Sequence, residues 1–135
     1  MSNLEYEPLE KAVSQFEKGI ERVQKTSVDE LDELLRDGAI QRFEYTMDLA
    51  WKFLQRYLKS ELQVDDSTIR SKKDLFRESA RLQLIDDAER WMAHYEARNA
   101  TSHDYDPEKA AAVLAQAVKF LPDVKKLLET LRSAD

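Results

Sequence analysis

A chain of 135 residues with a formal charge of −6 and no cysteine narrows the field before any motif is read. Disulfide frameworks, thiolate metal sites and cysteine nucleophiles are excluded outright, and no window approaches the roughly 18 consecutive apolar residues that a spanning helix needs. Two glycines and three prolines leave few tight turns, and 36% charged residues in helically spaced blocks describe a helical bundle rather than a sandwich or a nucleotide-binding α/β fold.

One domain covering residues 1–135 is expected, large enough for a single core. The opening segment is acidic, with Glu5, Glu7 and Glu10, and holds no apolar run. It reads as neither a signal nor a transit peptide, so a soluble, cytoplasmic protein is expected. The acidic balance also bears on partners. Proteins that coat nucleic acid usually carry a basic excess, because phosphate contacts supply most of the affinity. Any RNA chemistry here must act at a site or a dimer groove more positive than the whole.

A first helix is predicted over residues 4–24, where Leu9, Ala12, Val13, Phe16, Ile20 and Val23 recur at three- and four-residue steps. Lys25, Thr26 and Ser27 form a connector, with Ser27 as a cap, and a short helix through Leu34 and Leu35 is broken by Asp37-Gly38. The strongest helix follows over residues 39–62, with Ile40, Phe43, Met47, Ala50, Trp51, Leu54 and Leu58 as its stripe. Glu44 falls on the edge of that stripe, where a carboxylate is costly to bury unpaired. It either makes a structural ion pair within the bundle or orients a catalytic arginine or histidine.

After the polar loop around Asp65-Asp66-Ser67, helices are predicted over residues 71–82 and 87–99. Asp86 caps the second, and Ala88, Trp91, Met92 and Tyr95 face the core. Asp106-Pro107-Glu108 then reads as a helix start: an N-cap aspartate, proline at the first position and an acid in the first turn. The last helix carries Ala111, Val113, Leu114, Ala117, Val118 and Leu121. Pro122 is expected to kink or restart it before Val124, Leu127, Leu128 and Leu131.

The segment Arg98-Asn99-Ala100-Thr101-Ser102-His103-Asp104-Tyr105 joins two of these helices and gathers the residues suited to chemistry. An arginine binds a phosphate bidentately and keeps its charge. A histidine can take a proton from a ribose 2′-hydroxyl or return one to a leaving oxygen. On an unbroken helix Arg98 and His103 would point about 140° apart. They can cooperate only if the helix ends between them or a two-fold dimer pairs two copies of the segment. The bland alternative is a capping histidine beside a solvated arginine. Tyr105 is either packed over a helix start or an exposed hydroxyl open to modification. His94, off the apolar stripe, reads as a surface or boundary residue. His103, Asp104 and Asp106 match no zinc or calcium spacing, and Gly19 and Gly38 stand alone, so no phosphate loop is present.

Two stretches resemble a known family. Residues 37–52, DGAIQRFEYTMDLAWK, are similar to the signature helix of the nucleotidyltransferase substrate-binding proteins. Residues 98–105 resemble that family's motif of arginine, four residues, histidine, one residue, tyrosine. These proteins belong to the HEPN superfamily, and the resemblance covers most of the chain. It implies an all-α, up-and-down bundle of four to five helices that forms a homodimer or a higher even oligomer. It also implies a minimal nucleotidyltransferase encoded nearby as antitoxin, an RNA substrate, and no cofactor, metal or membrane. On that resemblance Arg98 and His103 are the catalytic pair of a metal-independent RNase, supported by Asn99 and Glu44. Tyr105 is then the tyrosine that the nucleotidyltransferase would adenylylate to silence the toxin. A non-catalytic subunit presenting substrate to the nucleotidyltransferase is the alternative, and a plain helical dimerisation module a third.

Overall fold

The computed structural model describes residues 5–27, 33–100 and 106–133. Among these, five α-helices follow one another: α1 (Glu7–Lys25), α2 (Glu33–Ser60), α3 (Lys72–Arg81), α4 (Ala88–Ala100) and α5 (Pro107–Ser133), with a 3-10 turn at Asp66–Thr68 and no strand. This is the expected all-α bundle.

Several helix ends have a clear local reason. Pro8 sits in the first turn of α1, where its missing N–H costs nothing. The Ser71 hydroxyl accepts from the Asp74 backbone N–H to cap α3, and Asp106 accepts from Lys109 N–H at 2.8 Å to cap α5. The cap of α4 is Asp87, whose carboxylate accepts from the Arg90 N–H, and not Asp86 as the sequence suggested. At the end of α3, Leu84 N–H bonds to the Ser79 carbonyl and Gln83 N–H to that of Ala80. This closes a Schellman turn with Gln83 at φ 64°, a position usually given to glycine.

The break expected at Asp37-Gly38 does not occur, and α5 does not restart at Pro122. Asp37-Gly38 lies inside α2, which starts at Glu33 and runs unbroken for 28 residues to Ser60. One glycine costs a helix only about 1 kcal/mol, and the buried residues on either side outweigh that. Pro122 is likewise spanned by α5. Its ring is solvent-exposed, so water can satisfy the carbonyl one turn back that loses its partner.

The core is aromatic at its centre. Phe120 of α5 lies with its ring centroid 5.4 Å from Phe43 of α2, 5.4 Å from Trp91 of α4 and 5.8 Å from Phe16 of α1. One side chain therefore joins four helices, although the stripe read from the sequence passed over it. All six apolar residues expected to face inward from α1 are buried. On α2 the inward face is broader than expected, adding Phe53 and Tyr57, while Trp51 is only half-buried. No helix among the described residues is long and apolar enough to cross a membrane.

Candidate active site

Trp91, His94 and Arg98 follow one another along α4 at three- and four-residue steps, so they share one face of the helix. Trp91 anchors that face in the core. Arg98, close to the last described residue of α4, is carried by the same face against α2. There Glu44 and Asp48, themselves four residues apart, present two carboxylates. The Arg98 Nη1 donates to Glu44 Oε2 at 2.8 Å, while Nε and Nη2 donate to the two oxygens of Asp48 at 3.1 Å each. The fork on Asp48 fixes the plane of the guanidinium, and the bond to Glu44 fixes its rotation.

All three side chains remain partly solvated, with 28% of Arg98, 19% of Glu44 and 34% of Asp48 exposed. The cluster is therefore a held but reachable cation. Among the described residues two carboxylates face the one guanidinium, so an incoming phosphate must compete with Asp48 or draw on other cations. Glu44 pairs with Arg98, an arrangement that fits both readings of Glu44, a structural ion pair and a residue that orients the arginine. Asp48 was not singled out in the sequence. The signal was its spacing: Glu44 and Asp48 stand one turn apart on a single helix edge. Asn99 is exposed at the end of α4. His103 and Tyr105 lie outside the described residues, as do Thr101, Ser102 and Asp104.

His94 corrects the sequence reading, because it is fully buried. Its ring packs edge-on against Phe120 at 5.1 Å and Trp91 at 5.9 Å, and both nitrogens are matched. Nε2 lies 2.7 Å from Asp123 Oδ2, and Gln116 Nε2 lies 2.9 Å from Nδ1. An imidazole that donates to Asp123 and accepts from Gln116 satisfies every partner in its neutral form. Arg90 closes the network with two 2.8 Å bonds to the same aspartate. Burial holds the His94 pKa below the usual value, outweighing the pull of Asp123. Burial would raise the Asp123 carboxyl, but the bonds from Arg90 and His94 win and hold it low. The missed signal lay on α5, where Gln116 and Asp123 are two turns apart on one face.

Among the described residues, no group of three or more His, Asp or Glu is placed to hold a metal ion.

Over residues 4–133 the chain matches the family described as nucleotidyltransferase substrate binding protein like. It is 45% identical over 96 residues to a Haemophilus influenzae protein named probable ribonuclease HepT, covering 70% of this chain. The match spans 66% of that relative's length, just under two thirds. A solved Haemophilus influenzae structure, described as a substrate binding domain of a nucleotidyltransferase, aligns with a TM-score of 0.84 at 35% identity, covering 95% of this chain and 99% of that one. A Shewanella oneidensis HEPN toxin, solved tri-AMPylated and in complex with an MNT antitoxin, shares the fold. Its TM-score is 0.68 at 16% identity, over 98% of this chain and 99% of that one.

Proposed function

The chain belongs to the nucleotidyltransferase substrate binding protein-like family, and from that membership we propose that it is a HEPN-type toxin, a metal-independent endoribonuclease working through Arg98 and His103. The observation that carries the reading is Arg98 itself: a partly exposed guanidinium, locked in plane by Glu44 and Asp48, five residues ahead of His103. In the reaction the 2′-oxygen of a ribose attacks the adjacent phosphorus and the bond to the 5′-oxygen breaks, leaving a cyclic phosphate. His103 takes the 2′-hydroxyl proton or returns one to the departing 5′-oxygen. Arg98 holds the non-bridging oxygens as charge builds on them. Glu44 and Asp48 act through Arg98 as positioning residues, and Asn99 borders the site. A homodimer, or a higher even oligomer, would bring two copies of the segment to one groove.

Silencing falls to a minimal nucleotidyltransferase encoded nearby, which adenylylates Tyr105. A bulky anion two residues from His103 would block RNA by occupancy and by repulsion. The solved Shewanella HEPN toxin carries AMP and binds an MNT antitoxin, which supports this partnership for a chain of the same fold.

A second reading, a non-catalytic subunit presenting substrate to the nucleotidyltransferase, is favoured by one observation. The three guanidinium nitrogens of Arg98 are already engaged by carboxylates. Expression of the chain alone, beside Arg98→Ala and His103→Ala, separates the two. Arrested growth and cut RNA with the unaltered chain only is the toxin result, whereas equal growth of all three strains with intact RNA leaves the binding subunit. Co-expression with the nucleotidyltransferase should add mass in AMP steps that Tyr105→Phe abolishes. Equal modification of Tyr105→Phe would remove Tyr105 from the mechanism.

A further inference from the structure

The edge of α2 that holds Arg98 does not end at Asp48. Lys52, Gln55 and Lys59 continue it at four-, three- and four-residue steps, with Trp51 and Arg56 on either flank. Trp51, Lys52, Gln55, Arg56 and Lys59 line a depression of about 230 Å³. Its cations are held in an unusual way. Lys72 Nζ stands 3.7 Å from the centre of the Trp51 ring and 5.8 Å from that of Tyr95. Lys52 lies 5.7 Å from the Trp51 ring, and the Arg56 guanidinium 5.6 Å from that of Phe53. Elsewhere Arg90 and Arg98 are closed by carboxylates. Among the described residues Lys52, Arg56 and Lys72 form no salt bridge, and only Lys59 meets an acid, Asp66 at 3.2 Å.

An acidic protein that acts on a polyanion gains from such a place, because a net charge of −6 works against the approach of the substrate. A half-buried indole ringed by unneutralised cations matches what a single strand presents: flat bases for the ring, phosphates for the cations. The strip also starts at the right point. From Asp48 to Lys59 it covers about 16 Å at 1.5 Å per residue, the length of roughly four to five stacked nucleotides.

We propose that this aromatic-basic edge of α2, with Lys72, binds the single-stranded RNA that runs on from the phosphate at Arg98: Lys72 leaves the Trp51 face for a phosphate as a base stacks there, and further phosphates meet Lys52 and Arg56. The inference rests on the RNase reading for its direction, and its test does not depend on cleavage. A labelled oligonucleotide with 2′-O-methyl riboses lacks the attacking hydroxyl, so its binding to the full chain can be followed by anisotropy across a salt series. Lys52→Gln/Arg56→Gln should weaken binding about tenfold at 0.1 M salt. The slope of log K against log salt should fall by about 0.7 for each phosphate that is no longer neutralised. RNA should also quench tryptophan emission, and Trp51→Phe should abolish the quench, since the other tryptophan, Trp91, is buried in the core. Far-ultraviolet dichroism checks that the variants are folded.

Unchanged affinity and slope in the double variant would overturn the inference, as would a quench that survives Trp51→Phe. So would a double variant that keeps RNA but loses the nucleotidyltransferase, which would assign the edge to an acidic protein partner. Binding that follows these expectations while unmodified RNA stays uncut supports the RNA edge and removes the RNase reading.

Discussion

Two clusters on α4 are built from the same parts and come to opposite uses. In the first half of the helix, Arg90 and Asp123 close over His94, whose imidazole has no exposed surface and both ring nitrogens spoken for, while Arg90 itself is 43% exposed. Another turn along, Arg98 pairs with Glu44 and Asp48 yet keeps more than a quarter of its side chain in water. An arginine and a carboxylate therefore do not make a site by themselves. Burial decides. Asp123, 12% exposed and bound to a buried imidazole as well as to Arg90, gives stability and rigidity, whereas Asp48, 34% exposed, leaves Arg98 able to exchange a carboxylate for a phosphate.

The comparison breaks first, and hardest, at His94. Replacing it with alanine empties space beside Phe120 and leaves Asp123 and Gln116 without their buried partner. That should cost about 2–4 kcal/mol in urea unfolding. Arg98→Ala, at the half-open cluster, should cost about 1 kcal/mol or less while removing whatever activity the chain has. If the two losses of stability were equal, the distinction between a sealed and an open cluster would fail.

Acid should expose the same difference more gently. The His94 pKa is depressed in the folded chain, so between its ordinary value of about 6.5 and that lower value the unfolded chain binds the proton and the folded chain does not. Its contribution to stability is complete above about 6.5 and is lost as pH falls through that window. Asp123 is also held low, but its contribution is lost only below the ordinary carboxylate range. Unfolding free energies at pH 8, 6 and 5 should therefore decline in the native chain. The part of the decline between pH 8 and 5 that disappears in His94→Gln belongs to this residue. Parallel curves for the two proteins would mean that His94 does not couple to folding.

The sequence was a good guide where periodicity is strong and a poor one where a single residue overrides it. Leu9 through Val23 set the buried face of α1 as expected, and Asp106-Pro107 marked the start of α5. Gly38 misled, because it is a local penalty of about 1 kcal/mol that a long apolar face can absorb, and α5 likewise runs through Pro122 without restarting. Gln83 is a case that a sequence pattern does not announce, although the end of α3 falls where it was expected. It ends α3 in the left-handed region without the glycine that would announce it. The site was half legible. Arg98 stood out by its spacing from His103, and Glu44 by its place beside an apolar stripe. Asp48 did not, because a carboxylate on a helix edge looks the same whether it meets water or a guanidinium 50 residues away in sequence. His94 failed for the matching reason: its partners lie on α5, and no window of α4 contains them.

Asp48 gives the smallest effect on stability and the finest test of the open cluster. Asp48→Asn keeps the shape of the side chain but replaces one charged acceptor with an amide nitrogen, so the fork on Arg98 is reduced to a single bond. Stability should change by no more than about 1 kcal/mol, because the pair is partly solvated. The guanidinium would keep its bond to Glu44 and be free to swing about it. Under the proposed function, RNA cleavage should then fall about ten- to a hundredfold, since a displacement of an ångström at a phosphate-binding group can cost that much. Affinity for the non-cleavable oligonucleotide should hold or rise, because one competing carboxylate has gone. A loss of binding and cleavage in equal measure would show that Asp48 supports the fold of the surface rather than the aim of Arg98. Faster cleavage would show the opposite of positioning: a carboxylate that restrains the arginine until RNA displaces it.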